Sequence, residues 1–384
     1  MDLTYLDSNA TTQPAPEVVA KMTQCLTDGW GNPSSAHRFG QEARRSIDEA
    51  RGHVAALVNC TDRELTFMSG GSEAINTSLR GLLLARTPRR KIITSSTEHS
   101  ATKESCGQYA REGYEVVEIG VDQSGQLDIE AYLAALDDNT ALVTMLWANN
   151  ETGTIFPMQQ IAAAAKAKKI PIHVDLTQCL GKVPVDLVAM PIDCASFAAH
   201  KFHGAKGVGA LYTRKGMRLR SLVMGGPQEN SKRGGTENVP GIVGMGEAAR
   251  LAKLHLPEMS CRVMQLRDRL EANILERVAD TRVNGDRDHR LPNTTNISFA
   301  RLASEPILLL LSEHGVCASA GSACSSGSLE PSHVIRAMGI EEAWTGAIRF
   351  SLSRYSTDED IDRCLNMLPG VIEKLRRVLP VGAN

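Results

Sequence analysis

Two kinds of apolar spacing alternate between about Glu64 and Tyr212. Short apolar or β-branched runs, "LTFMSGG", "KIITSSTEH", "YEVVEIGV", "ALVTMLWANN", "IPIHVDLTQ", "DCASFAAHK" and "GVGALYTR", are separated by segments that read as helices. Strands followed by helices of crossover length predict a mostly parallel sheet covered on both faces. Between them, "PMQQIAAAAKAKKI" is Ala-rich with its basic residues late, as a helix C-terminus favours. Helical spacing then runs from roughly Val243 to Val278 and includes the charge-rich "QLRDRLEANILERV".

After "NGDRDHRLPNTTN" the pattern changes to a strand "NISFA", a helix "EPILLLLSEHG", a Ser/Gly stretch and a strand "AIRFSLSRY". A closing helix is entered at "STDEDIDRCL", where Ser356 is the expected cap and acidic residues fill the first turn. The expected fold class is α/β, with a large domain over 16–258 and a smaller α+β domain over 259–384 that also takes in the N-terminal segment 1–15. No internal repeat or low-complexity linker is visible.

Composition narrows the function classes. At 384 residues, with 42% hydrophobic and 22% charged positions, the chain has ample material for a core and no compositional case for disorder. A net charge of −2 provides no basic field for nucleic acid or acidic membrane, and "EKLRRVL" reads as a solvated helix face. The start "MDLTYLDSNATT" has no basic n-region and no apolar h-region, and "PILLLLSEHG" falls short of the roughly 20 residues of a membrane span, so a cytoplasmic location is expected. Nine cysteines scattered from Cys25 to Cys364 predict reduced thiols rather than a disulfide framework. Without CxxC, HExxH or zinc-finger spacing, no protein-built metal site is expected.

In an open parallel sheet, ligands bind beyond the carboxyl ends of the strands. Those positions are polar here: Gly71-Ser72 open a helix after "LTFM", Glu98-His99 follow "KIITSST", and Asn149-Asn150-Glu151 follow "ALVTMLWA". Asp175 and Gln178 follow "IPIHV", and His200-Lys201 follow "DCASFAA". Each alone is an ordinary turn or cap residue. Together, a lysine for a Schiff base, an aspartate for a pyridinium nitrogen and a helix N-terminus for a phosphate are the set that pyridoxal phosphate requires. Cys324 is set in "ASAGSACSSGSLEPS", among small residues that suit a mobile thiol better than a packed one. Cys317, in "GVCASA", reads as the structural thiol of the pair.

The ordered set "YLDSNATT", "GNPSSAHRFG", "SGGSEAIN", "TEHSAT", "WANNETGTIFP", "HVDLTQ", "AHKFHGAKGVGALY", "RGGTENVPGIVGMGEA", "GSACSSGSLEPSHVIRAMG" and "IRFSLSRY" resembles the cysteine desulfurases of the NifS/IscS type over almost the whole chain. The resemblance implies the fold-type I pyridoxal phosphate architecture, a homodimer, L-cysteine as substrate, and delivery of sulfur to an acceptor such as an iron–sulfur scaffold protein. It implies that Lys201 carries the cofactor, Asp175 pairs its pyridine nitrogen, Gln178 contacts its phenolic oxygen and His99 stacks on its ring. Gly71, Ser72 and His200 match the phosphate seat, and Thr236 matches a residue reaching the phosphate of the other subunit. Asn150 and Arg349 match the positions that hold the substrate carboxylate, Asn150 counting among the cofactor contacts as well, and Cys324 matches the persulfide-forming nucleophile. The wording leans towards the NifS-like branch and leaves housekeeping and nitrogen-fixing roles both open.

Two positions depart from the pattern. Ala198 stands where many relatives have a serine contacting the phosphate, and Asn230-Ser231 stand where they commonly show Arg-Gly. Rival readings are an aminotransferase or selenocysteine lyase, a dinucleotide enzyme through "GMGEAA", and an iron–sulfur scaffold built on the cysteines. "GMGEAA" follows no convincing strand and reads better as helix packing, and cluster-ligand spacing is absent.

Overall fold

The computed structural model describes residues 3–85, 88–320 and 332–378. Its strands, in chain order, are β1 (Thr4–Tyr5), β2 (Leu65–Met68), β3 (Lys91–Ser95), β4 (Glu115–Ile119), β5 (Thr140–Leu146), β6 (Ile172–Asp175), β7 (Cys194–Ala198), β8 (Gly209–Thr213), β9 (Thr281–Asn284), β10 (Thr294–Phe299), β11 (Val316–Cys317) and β12 (Ala347–Ser351). A seven-stranded sheet has the order β2-β8-β7-β6-β5-β3-β4. Strands β7, β6, β5, β3 and β4 run parallel, and β8 is antiparallel to both of its neighbours. Every residue of β5, β6 and β7 is buried, as a strand between two helical layers must be.

The layer beside this sheet explains the "GMGEAA" motif. It falls inside the helix Val239–Leu254, which packs on the helices Pro16–Thr27 and Arg38–Val58. A Cβ on Gly244 would come within 2.7 Å of Met22, and one on Gly246 within 2.5 Å of the Ala50 Cα. These glycines let the helices approach closely. The predicted helix over 243–278 is real but interrupted: the first part ends at Leu254, and after Leu256-Pro257 and a π-turn the helix resumes as Met264–Arg277. Pro257 has no N–H to continue the ladder.

A separate core joins Leu6 to Met259, Leu270, Ile297, Phe350, Leu368 and their neighbours. It lies against the antiparallel sheet β12-β10-β9, and β1 pairs in parallel with β11. The closing helix, Asp358–Val378, is capped by Thr357 and not by Ser356. Thr357 Oγ1 accepts from Asp360 N at 3.2 Å while Asp360 Oδ2 accepts from Thr357 N at 3.0 Å, a reciprocal box one residue later than expected. The Ser356 hydroxyl accepts from Ser353 N instead. Among the described residues no helix is long and apolar enough to cross a membrane, and no cluster of His, Cys, Asp or Glu could hold a metal.

Candidate active site

Because β3, β5, β6 and β7 are parallel, their carboxyl ends share one edge of the sheet, and the predicted residues meet there. β6 ends on Asp175, whose Oδ1 accepts from Thr177 N at 2.8 Å. β7 runs into a single helical turn, Ala199–Lys201. Lys201 Nζ donates to the main-chain oxygens of Asn9 and Ala10, both at 2.7 Å. The segment carrying those oxygens is stitched to both halves of the molecule: Ser8 N donates to Ser351 O on β12, and Thr12 N to His200 O beside the lysine.

His99 caps the helix Ser100–Arg111, accepting from Ala101 N through Nδ1 at 3.1 Å. That contact leaves the proton of the neutral ring on Nε2. Burial holds the His99 pKa below the usual histidine range, opposed by Asp175 and reinforced by Lys201. These three side chains therefore act on one another. Behind them Glu98 is fully buried. Its Oε1 accepts from Ser95 Oγ at 2.7 Å and Leu146 N at 2.8 Å, and burial pushes its pKa up to about 8, with Asp175 as the repelling charge.

The helix Gly71–Ala85 opens with no side chain at its first residue. A Cβ on Gly71 would stand 3.4 Å from Thr177 Oγ1 and 3.8 Å from Ala198 Cβ, so a glycine keeps this end of the helix open toward both. Ser72 is exposed next to it. His200 contacts Thr11 Oγ1 through Nδ1 at 3.2 Å, and burial followed by Lys201, Lys206 and Lys182 lowers its pKa to about 4. A neutral imidazole and free helical N–H groups suit a phosphate.

Arg349, on β12, is buried to 1% exposure. Its Nη1 donates to Asn150 O at 2.9 Å and its Nη2 to Asp7 Oδ1 at 2.7 Å. Asn150 thus meets Arg349 through its main chain. Gln178 is buried and donates from Nε2 to Asn9 O at 3.0 Å. Thr236 is exposed, with no hydrogen bond to this cluster among the described residues. The chain before it is unusual: Glu229, Asn230 and Ser231 have φ of +47°, +56° and +62°. Glycine bears this left-handed conformation at the least cost, and none of the three is glycine. The segment is pinned by a buried bidentate pair between Glu229 and Arg51, at 2.6 and 2.9 Å. Cys324 lies outside the described residues. Cys317 is partly buried between β11 and β1, and burial, with Asp7, raises its pKa.

Asn9, Lys182 and Ser332 also join the cluster, and none of the three was singled out along the chain. Asn9 accepts through its main-chain oxygen from both Lys201 and Gln178. Lys182 reaches Gln178 Oε1 at 2.5 Å. Ser332 Oγ donates to Glu151 Oε2 at 2.5 Å, and burial raises the Glu151 pKa to about 7. The run "YLDSNATT" was the available signal for Asn9; only the folded chain brings it beside Lys201.

An amine, a carboxylate on the adjacent strand, an imidazole and an open helix N-terminus converge on this sheet edge, and that donor set fits pyridoxal phosphate. The fold and site define a pyridoxal phosphate-dependent α/β enzyme. The chain belongs to the family described as aminotransferase class-V, whose model matches residues 4–364. It is 48% identical over 381 residues to a cysteine desulfurase of Trichormus azollae, covering 99% of this chain and 95% of that protein. It is 46% identical over 378 residues to the cysteine desulfurase NifS of Azotobacter vinelandii, covering 98% and 94%. A solved NifS-like protein, 35% identical, superposes with a TM-score of 0.92 over 97% of this chain and 100% of that one.

Proposed function

We infer that the protein is a pyridoxal phosphate-dependent cysteine desulfurase that converts L-cysteine to L-alanine and passes the sulfur on as a persulfide. The observation that carries the reading is the meeting of Lys201, Asp175 and His99 at one sheet edge, with Arg349 brought to it by β12 through Asn150 and Asp7. Lys201, Asp175, Gln178, His99, Gly71, Ser72 and His200 would hold the cofactor. Bound there, it supplies an electron sink for the substrate α-carbon.

The side chains divide the remaining work. Arg349 and Asn150 bind the cysteine carboxylate, Arg349 through a charge-assisted pair that a lysine could not form in two-pronged fashion. Asp175 keeps a proton on the pyridine nitrogen, and Lys201, once its amine is free, moves the α-proton. The Cys324 thiolate attacks the substrate sulfur; an S–S bond forms as the Cβ–S bond breaks, and the electron pair stays with the carbon skeleton, which is protonated to alanine. His99, neutral with Nε2–H, donates a proton in that exchange and regains one at the same nitrogen afterwards.

The division of the chain at residue 259 belongs to this reading, supported by a core from Leu6 and Met259 to Leu375 that is separate from those packed on the seven-stranded sheet. So does a homodimer: Trp30 and Met224 are 72% and 85% exposed, and Thr236 is exposed on the Met224 loop, as a residue serving a partner's site must be. The sulfur passes to an acceptor such as an iron–sulfur scaffold protein, and the enzyme works in the cytoplasm. The test is an absorbance spectrum before and after L-cysteine with a reductant, followed by product assays. A visible band that shifts, with alanine and sulfide in equal amounts, is expected. No visible band after reconstitution with pyridoxal phosphate overturns the reading.

A further inference from the structure

Gln178 and Lys182 lie four residues apart in the turns after β6, where Gly181 adopts φ +71°. A Cβ there would stand 3.2 Å from Phe202 and Ala252, so the chain turns tightly against both. The turn folds Lys182 back beneath Gln178. Lys182 Nζ donates to Gln178 Oε1 at 2.5 Å and to Asn9 Oδ1 at 2.9 Å. Gln178 Nε2 donates to Asn9 O at 3.0 Å, the oxygen that also receives Lys201 Nζ. The carbonyl end of the amide faces Lys182 and its NH2 end faces the acceptor of the Lys201 amine.

A glutamine amide is nearly symmetric in shape, so its hydrogen-bond partners decide which end points where. The N–H groups of Lys182 serve two amide oxygens at once and draw the Gln178 carbonyl towards themselves. Lys182 is 3% exposed, both acceptors are neutral, and burial, with the positive charges of Lys201 and Arg349, holds its pKa well below the usual lysine range. A lysine buried without an acidic partner is costly. Nothing in the cysteine chemistry described above employs it directly.

On the reading of the site given above, we propose that Lys182 is a positioning residue: by holding the Gln178 carbonyl it presents the Gln178 NH2 group to the phenolic oxygen of bound pyridoxal phosphate, and so sets the proton affinity of the nitrogen joining Lys201 to the cofactor. A donor to that oxygen withdraws electron density that would otherwise retain the proton on the linking nitrogen, so losing the donor raises its proton affinity.

The readout is the pH midpoint of the visible absorbance change of the cofactor-loaded resting protein. Lys182→Met is expected to raise the midpoint by about one pH unit, a tenfold gain in proton affinity. Gln178→Ala raises it similarly, and the double variant goes no further than Gln178→Ala alone. Shifts that add in the double variant mean that Lys182 acts by charge and not through the amide; they overturn the proposal, as does an unchanged midpoint in Lys182→Met. Should Lys182→Met not fold, Lys182→Gln keeps an N–H donor without the charge. A midpoint close to the parent's then supports the proposal, and one displaced as far as in Gln178→Ala defeats it. A parent protein with no visible band on addition of pyridoxal phosphate fails at an earlier point and defeats the reading of the site, the proposal with it.

Discussion

His333 Nε2 donates to the main-chain oxygen of Glu98 at 2.9 Å across 235 positions of sequence. Together with the Ser332–Glu151 hydrogen bond it ties the chain just beyond the Cys324 stretch to the strand ends that carry His99 and Asn150. The contact requires the proton on Nε2, and burial keeps His333 below the usual histidine range.

His333→Ala therefore removes one end of the fastening without touching the cofactor residues. The expected result is a loss of about 1 kcal/mol of stability, the net worth of a typical hydrogen bond. Sulfide release slows while the visible spectrum of the loaded protein is unchanged. Thermal melting and a sulfide assay on the same preparation check both parts; a shifted spectrum would place His333 in the cofactor site instead.

Arg349→Ala breaks a charge pair between the buried guanidinium and the partly exposed Asp7, and removes the group expected to take the substrate carboxylate. A cost of about 2–5 kcal/mol is expected, falling mainly on KM for cysteine. Steady-state kinetics separate this from a structural collapse, because kcat at saturating cysteine is expected to move less than KM.

Ala198 is buried at the end of β7, its Cβ 3.8 Å from where a Gly71 Cβ would stand, and it brings no hydroxyl to that helix N-terminus. Ala198→Ser is expected to tighten pyridoxal phosphate binding by about 1 kcal/mol, a fivefold change in Kd. Equilibrium titration of the cofactor-free protein measures it. Weaker binding would show that the extra oxygen finds no donor role.

Glu98 gives a pH signature of its own. Its folded pKa of about 8 lies above the ordinary 4.5, so the folded state keeps a proton that the unfolded chain releases. Stability therefore falls as pH rises from about 4.5 to about 8, by at most about 1.4 kcal/mol per pH unit from this group, and levels off above. Glu98→Gln, uncharged at every pH and similar in shape to the protonated acid, is expected to remove that part of the slope. Urea unfolding midpoints between pH 5 and pH 8 for both proteins test it; parallel slopes would show that Glu98 is not the group responsible.

Much of the site could be read along the chain because a parallel sheet converts sequence order into spatial convergence. Wherever an apolar run ended, as at Ser95, Leu146, Asp175 and Ala198, the polar residues that followed were bound to share one edge. The glycines of "GMGEAA" likewise declared helix packing by lacking a strand before them. Local rules were weakest at boundaries: Ser356 and Thr357 are both good caps, and only the reciprocal bond to Asp360 chose between them.

Periodicity and local composition are enough to set the α/β rhythm, the strand ends, and the residue types that pyridoxal chemistry needs. The tertiary structure alone decided that Asn9 would receive both Lys201 and Gln178, that Asp7 would meet Arg349, and that Lys182 would orient an amide. Those contacts join segments whose own patterns are unremarkable. Their partners are main-chain oxygens and amides, groups that every residue or many residues carry, so only the packing of one segment against another selects them.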